Sequence, residues 1–111
     1  MGPALEFTTG AEDGTVVLAV KGEIDLHTVP ELREQLLGQL TTGTPIVVLD
    51  MADVSFIDST GLSVLITALK RARSLGGDVK LRTPSHQTYK VLELTRLHQV
   101  FEIEGVPDGL T

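Results

Sequence analysis

The stretch Phe56-Ile57-Asp58-Ser59-Thr60-Gly61-Leu62 joins a strand-like apolar run to a helix-like one through small polar residues. The first turn of a helix leaves backbone N–H groups unpaired and carries a partial positive charge. Such a position suits a side-chain oxygen or a phosphate. This junction predicts an exposed serine hydroxyl at a helix start, and we expect the functional site to lie here.

Apolar runs on either side of the junction set the fold class. Ile46–Leu49 is β-branched and predicts a central strand buried on both sides. The sequence from about Gly61 to Leu75 predicts a deeply packed helix that Gly76-Gly77 ends. Thr15–Lys21 predicts another strand, and its continuous apolar character also favours cover on both faces.

Short apolar runs bounded by turn residues predict three further strands. They are Leu5–Thr8, Val79–Arg82 and Val100–Ile103. Glu12-Asp13-Gly14 predicts a turn between the first two strands of the chain.

Two more helices have recognisable starts. Thr28 with Glu31 three residues later matches a capping box, Pro30 falls in the first turn, and Thr41–Thr44 predicts the end of that helix. Thr83-Pro84 predicts the cap and first residue of a helix that reaches about Leu94.

The resulting order of elements is β, β, α, β, α, β, α, β, which predicts a single α/β domain with a mostly parallel central sheet. A chain of 111 residues fits one domain, with a core over residues 6–104 and a loose tail from Gly105 to Thr111. Sites in such sheets form at the carboxyl ends of the strands. We therefore expect Asp25 and Asp58-Ser59 to share one surface.

The composition excludes several functions. A net charge of −6 and few aromatic residues disfavour nucleic-acid binding. The chain contains no cysteine, so it forms neither a disulfide nor a thiolate zinc site. Without a leader or a membrane-spanning apolar run, the chain predicts a cytoplasmic protein with no membrane association. Lys70-Arg71-Ala72-Arg73 fits either a solvated helix face or a docking patch for an acidic partner.

Catalytic patterns fail at the junction. A nucleophile elbow needs glycine where Ile57 stands, and only His27 is predicted near Ser59 as a base. Asp50 as a phosphoacceptor lacks the acidic pair that holds magnesium. No nucleotide loop or metal-ligand spacing occurs either, so the sequence predicts no enzyme, no cofactor and no metal site. Two hypotheses stay open for Asp58-Ser59-Thr60-Gly61, a plain helix cap and a modifiable serine.

Three segments resemble the bacterial anti-sigma factor antagonists, which are free-standing STAS domains. They are Gly22-Glu23-Ile24-Asp25, Ile46–Asp50 and Val54–Leu62, and the resemblance extends from about Glu6 to Glu104. It implies a mixed, mostly parallel sheet with helices on one side. The chain departs from the family at Thr95-Arg96-Leu97, where many members have a turn like Ser-Gly-Leu.

The resemblance also implies a function. Ser59 corresponds to the phosphoacceptor, and the implied partner-binding residues are Asp25, Asp58, Ser59, Thr60, Gly61 and Leu62. The unphosphorylated family member binds an anti-sigma factor that is also a serine kinase, which frees the sigma factor. Phosphorylation releases the complex, and a serine phosphatase reverses the reaction. Thr60 and Ser63 are weaker acceptor candidates. The alternative is a STAS interaction module that is not phosphorylated, within a transport or lipid-trafficking assembly.

Overall fold

The computed structural model describes residues 4–40 and 46–107. Within these residues the chain forms strands β1 (Glu6–Glu12), β2 (Thr15–Ile24), β3 (Ile46–Ile57), β4 (Asp78–Arg82) and β5 (Glu102–Glu104), and helices α1 (Val29–Gln39), α2 (Ser59–Ser74) and α3 (His86–Leu94). A turn of 3-10 helix, Leu97–Gln99, precedes β5. The predicted α/β class and order of elements are confirmed.

The five strands form one sheet in the order β1-β2-β3-β4-β5. β1 and β2 are antiparallel, and the other neighbouring strands are parallel. Asp13 and Gly14 connect β1 to β2 with φ values of 50° and 80°, as a two-residue hairpin turn with positive φ at both positions requires. The mixed, mostly parallel sheet agrees with the sequence prediction.

The order of the parallel strands places all three helices on one face. β2, β3, β4 and β5 are added to the sheet in one direction, and right-handed crossovers then pass over the same side. The core lies between this face and the helices. Its fully buried members include Leu18, Leu49, Leu65, Leu81 and Leu92.

The other face of the sheet is open and carries ion pairs. Arg82 contacts Glu12 at 3.1 Å and Glu104 at 3.0 Å, and Lys80 contacts Glu102 at 3.0 Å. These partly exposed pairs make a small contribution to stability. They make the open face a polar surface.

The open face changes one expectation for the strands. Val48 is buried on this face, so cover on both sides holds for the centre of β3. Val17 and Ala19 are only half-buried there, and the prediction of two-sided cover for β2 is wrong. A continuous apolar run therefore does not show that a strand is covered on both faces. In β2 the side chains on the open face, Val17 and Ala19, are apolar although no helix packs on them.

β3 is longer than predicted, with twelve residues instead of Ile46–Leu49. The register between β2 and β3 shifts twice, between Ala19 and Lys21 and between Gly22 and Glu23, and each shift adds one residue to β3. These bulges interrupt the alternation of buried and exposed residues. β3 continues along β2 for seven residues past its last pair with β4, which joins Asp50 to Arg82.

Thr28 is the N-cap residue of α1 and Pro30 lies in its first turn, as predicted, but the predicted capping box of α1 and the predicted start of α3 are wrong. Thr28 makes no capping bond to α1, since its hydroxyl donates to the Glu23 carbonyl at 2.7 Å, and the Glu31 carboxylate accepts from the Leu5 N–H at 3.2 Å. Thr28 and Glu31 therefore bond to residues outside the helix and not to each other's backbone N–H groups. α3 begins at His86 with Ser85 as its N-cap, and Thr83, expected to be the cap, lies outside the helix with φ 51°.

The carboxyl-terminal part of the chain follows the prediction approximately. The last strand begins at Glu102, because residues 97–99 form the 3-10 turn instead. Arg96 has φ 61°, the left-handed conformation in which glycine is usual, so the departure from the family at Thr95-Arg96-Leu97 lies at a constrained turn. Gly105–Pro107 belong to no regular element. The helix end expected at Thr41–Thr44 and the tail from residue 108 lie outside the described residues.

Candidate functional site

The loops after β2 and β3 meet at one end of the sheet. Ile24 and Ile57 are register partners at the ends of the two strands. The Asp58 N–H donates to the Ile24 carbonyl at 3.1 Å. The structure therefore brings Asp25 and Asp58-Ser59 to one surface, as the strand order predicted.

Asp58 is the N-cap of α2. Its Oδ1 accepts hydrogen bonds from the N–H groups of Thr60 at 3.0 Å and Gly61 at 3.1 Å. The Thr60 hydroxyl donates to the same oxygen at 2.5 Å. One carboxylate oxygen thus satisfies two of the unpaired N–H groups at the helix start. The capping role proposed for this junction belongs to Asp58.

The environment of Asp58 favours its charged form. Partial burial alone raises the pKa of this carboxyl, but hydrogen bonds from the Thr60 hydroxyl and from the backbone N–H groups of Gly61, Thr60 and Leu26 outweigh it. The net pKa is lowered from its usual value of 3.8. Asp58 is therefore a fixed negative charge beside Ser59 at neutral pH.

Ser59 is the first residue of α2, and its side chain is exposed. Among residues 4–40 and 46–107, its hydroxyl has no hydrogen-bond partner, since Asp58 bonds to Thr60 and Gly61 instead. The other two candidate hydroxyls are engaged, because Thr60 donates to Asp58 and Ser63 donates to the Ser59 carbonyl at 3.0 Å. Ser59 thus presents the free hydroxyl of the three.

Asp25 shapes the neighbouring loop. Its Oδ1 accepts from the N–H groups of His27 at 2.9 Å and Thr28 at 3.0 Å, which closes a tight turn. The buried Thr28 side chain fixes the turn from below, since its hydroxyl accepts from the Asp25 N–H at 3.0 Å. Leu26 and His27 are held exposed at the tip of this turn.

Gly61 and Leu62 are buried, unlike their neighbours in the motif. A Cβ atom at Gly61 would lie 2.6 Å from Ile24 Cγ2 and 2.7 Å from Ile57 Cγ1, so glycine permits the helix to approach both strands. Leu62 is only 7% exposed. Direct contact of these two residues with a partner stays a prediction, and within the described structure they pack against the core.

Two apolar side chains near Ser59 were not identified as site residues from the sequence. Leu26 is 66% exposed and Phe56 is 45% exposed. Leu26 between Asp25 and His27 was a usable signal, because an apolar residue in a tight polar turn has no core to enter. Phe56 belongs to the strand-like apolar run of the junction, and the bulge that precedes it in β3 leaves no local pattern in the sequence.

The described residues show no group of three acidic or histidine side chains placed to hold a metal ion. In the same part of the chain, no helix is both long and apolar enough to cross a membrane.

The fold, with helices on one face of a mixed sheet and an exposed serine at the start of the helix after the central strand, defines a STAS domain. The family model for the STAS domain matches residues 6–107, and the chain belongs to this family. The resemblance inferred from the three sequence segments is thereby confirmed.

Individual relatives are consistent with this assignment. The chain is 30% identical over 97 residues to an anti-sigma-B factor antagonist of Bacillus subtilis, covering 87% of this chain and 88% of the relative. It is 32% identical over 104 residues to one from Staphylococcus aureus, covering 94% and 88%. A crystal structure of a putative anti-sigma factor antagonist from Thermotoga maritima aligns with TM-score 0.83 and 28% identity, covering 90% of this chain and 86% of that one.

Proposed function

We propose that this protein is an anti-sigma factor antagonist whose unphosphorylated form binds an anti-sigma factor with serine kinase activity. Phosphorylation of Ser59 releases the complex, and a serine phosphatase restores the binding form. The chain is then a substrate and a binding partner, not an enzyme. The cytoplasmic location expected from the sequence stays a prediction.

The observation that carries the proposal is the division of roles at the start of α2. Asp58 caps the helix, and the adjacent Ser59 hydroxyl is exposed and unbonded. If the serine were the cap, its modification would destabilise the helix. Because Asp58 is the cap, a phosphate on Ser59 leaves the capping hydrogen bonds in place. The names of the relatives, anti-sigma-B factor antagonists, support the same function.

The charge of Asp58 determines what a phosphate does. A phosphate on Ser59 adds about −1.5 to −2 charges at neutral pH. The helix start would ordinarily stabilise this charge, but Asp58 already uses the N–H groups of Thr60 and Gly61 and is itself ionised. The N–H groups of Thr60 and Gly61 are therefore not free to bind the phosphate, which is left largely hydrated.

A partner that packs closely on Ser59 would have to remove that water. An uncompensated buried charge costs several kcal/mol. A loss of about 4 kcal/mol weakens binding roughly a thousandfold. Phosphorylation therefore acts on the interface and leaves the fold intact.

Ser59 variants test the proposal. We expect Ser59→Ala to bind the anti-sigma factor in the presence of ATP without being released, and Ser59→Asp to bind poorly. Wild-type protein and both variants are incubated with the anti-sigma factors encoded in the same genome and with ATP. Complex formation is followed by size-exclusion chromatography, and phosphate is located by mass spectrometry.

Ser63→Ala is the matched control, because it removes a hydroxyl one turn away that is bonded within the helix. It should be phosphorylated and released like the wild type. Phosphate on Ser59→Ala at another residue would contradict the assignment of the acceptor. Stable binding of the wild type with no phosphorylation would favour the alternative, a STAS interaction module that is not phosphorylated.

A further inference from the structure

The end of the molecule that presents Ser59 is acidic. The segments 22–28, 51–60, 83–88 and 105–107, which end or follow the parallel strands, contain the carboxylates Glu23, Asp25, Asp53 and Asp58. We call these four segments the acidic edge. They contain no Lys or Arg, and Lys21 lies at their base in register with Asp53. With Lys21 included, and with Lys90, which precedes the groove residue Val91 on α3, the charge is still negative.

An apolar groove opens on the same edge. β3 extends past β4, and the first two turns of α3 lie beside the free side of this extension. The groove between them has a volume of about 100 Å³ and is lined by Phe56, Ile57, Gln87, Thr88 and Val91. One residue of its lining, Ile57, lies two residues before Ser59 in the chain.

The size and openness of the groove limit what it accepts. Its volume is well below that of sites for small molecules, which are about 300 to 1,000 Å³ and bury most of their ligand's surface. An open apolar groove beside exposed Phe56 instead suits a side chain delivered by a protein surface.

We infer that the acidic edge docks a surface of the anti-sigma factor that carries basic side chains around one apolar side chain, and that this apolar side chain occupies the groove. The inference rests on the proposed function and adds the chemistry of the partner. Charge complementarity selects the partner and speeds its approach, while the groove supplies a desolvated contact next to Ser59.

A kinetic consequence separates the two contributions. A basic partner surface attracts the edge at long range whether or not Ser59 is phosphorylated, so the added charge does not slow association. The phosphate disrupts the close contact that forms afterwards. Phosphorylation should consequently raise the dissociation rate and leave the association rate equal or higher.

The groove is tested by filling it. Gln87→Trp places a large side chain at its wall, and Gln35→Trp makes the same change at an exposed position of α1. We expect Gln87→Trp to weaken binding of the anti-sigma factor about tenfold or more, as loss of a central anchor does, and Gln35→Trp to change it less than about twofold. Equal affinities for the two variants would overturn the inference.

The exposed side chains of Leu26 and Leu94 give a second comparison, which does not depend on filling the groove. Leu26→Ala removes an apolar side chain from the acidic edge, and Leu94→Ala removes one that is 78% exposed at the far end of α3. Only Leu26→Ala should weaken binding. A stronger effect at Leu94 would contradict the location of the docking surface.

Charge is tested by stopped-flow association at about 0.05 M and about 0.5 M salt, which span strong and weak screening. The wild-type association rate should fall with salt, and Glu23→Gln with Asp53→Asn should reduce that dependence. An association rate that rises with salt would overturn the basic-partner assignment.

The outcomes distinguish the inference from the function on which it rests. If the wild type binds and is phosphorylated on Ser59 while Gln87→Trp binds equally well, the inference fails and the proposed function stands. If no anti-sigma factor binds the wild type, both fail. If Gln87→Trp changes only self-association in sedimentation experiments, the groove belongs to a second copy of this chain and the inference is overturned.

Discussion

The loops after β2 and β3 begin with the same dipeptide, Ile24-Asp25 and Ile57-Asp58, and use it differently. Asp25 closes a turn of three residues before α1 begins, and the hydroxyl of Thr28 is buried within it. Asp58 leads directly into α2, and the hydroxyl that follows it is exposed. The length of the connection decides whether a hydroxyl supports the fold or is available for chemistry.

The two loops also differ in how much their structure depends on the hydroxyl. Thr28 donates to the Glu23 carbonyl and accepts from the Asp25 N–H, so the loop depends on its hydroxyl. Ser59 has no comparable bond among the described residues, and α2 depends on Asp58. Four predictions test this separation of roles, in order of decreasing effect.

Removing the buried hydroxyl should have the largest effect. Thr28→Val leaves the Glu23 carbonyl and the Asp25 N–H without their partner, which costs about 1–3 kcal/mol in the free energy of unfolding. Ser59→Ala should change that free energy by less than about 0.5 kcal/mol. Urea denaturation of both variants measures the difference, and equal losses would mean that the Ser59 hydroxyl is also structural.

The close approach of α2 to the two strands predicts a smaller loss. Gly61→Ala places a Cβ within 2.7 Å of both Ile24 and Ile57, and such overpacking costs about 1–3 kcal/mol. The better helix propensity of alanine offsets up to about 1 kcal/mol.

Gly38→Ala provides the control for helix propensity, because nothing lies within 4 Å of a Cβ at that position of α1. Its melting temperature should rise while that of Gly61→Ala falls. If the melting temperature rose for both variants, the junction would accommodate a Cβ at position 61, contrary to the close contacts with Ile24 and Ile57.

The helix cap predicts a loss of about 1 kcal/mol for Asp58→Ala, the usual value for an N-cap. Asp58→Asn should retain most of the stability, since an amide oxygen also caps. Thermal unfolding of the two variants checks this order. If the alanine and asparagine variants were equally destabilised, charge and not capping geometry would be the main contribution of Asp58.

The pH dependence is the smallest effect. The pKa of Asp58 is lower in the folded protein than its usual value of 3.8, so its contribution is present above that pH and is lost as the pH falls through the folded pKa. For a solvent-screened group the contribution is less than about 1 kcal/mol. The difference in unfolding free energy between wild type and Asp58→Asn should shrink between about pH 5 and pH 2. If this difference grew as the pH fell, the pKa of Asp58 in the folded protein would be raised and not lowered.

The sequence predicted the order of elements and the site edge because both depend on strong, local apolar runs. The spacing of Asp25 and Asp58 after two strands was enough to place them together, since neighbouring parallel strands end at the same side. The sequence left open whether Ser59 caps the helix or has a free hydroxyl. The hydrogen bonds of Asp58 decide this, because they show that Asp58 is the cap.

The remaining features depend on partners distant in the sequence. Glu31 accepts from Leu5, which no window around α1 contains, and the capping box was therefore misread. The bulges in β3 moved Phe56 to the surface while leaving an ordinary apolar sequence. These are tertiary effects that override local pattern.

The extension of β3 beyond β4 has a consequence for access to Ser59. At about 3.3 Å per residue, seven residues raise the end of the strand roughly 20 Å above the last β4 pair. Ser59 follows this end, which only β2 pairs, so the proposed phosphorylation requires no strand to separate from the sheet.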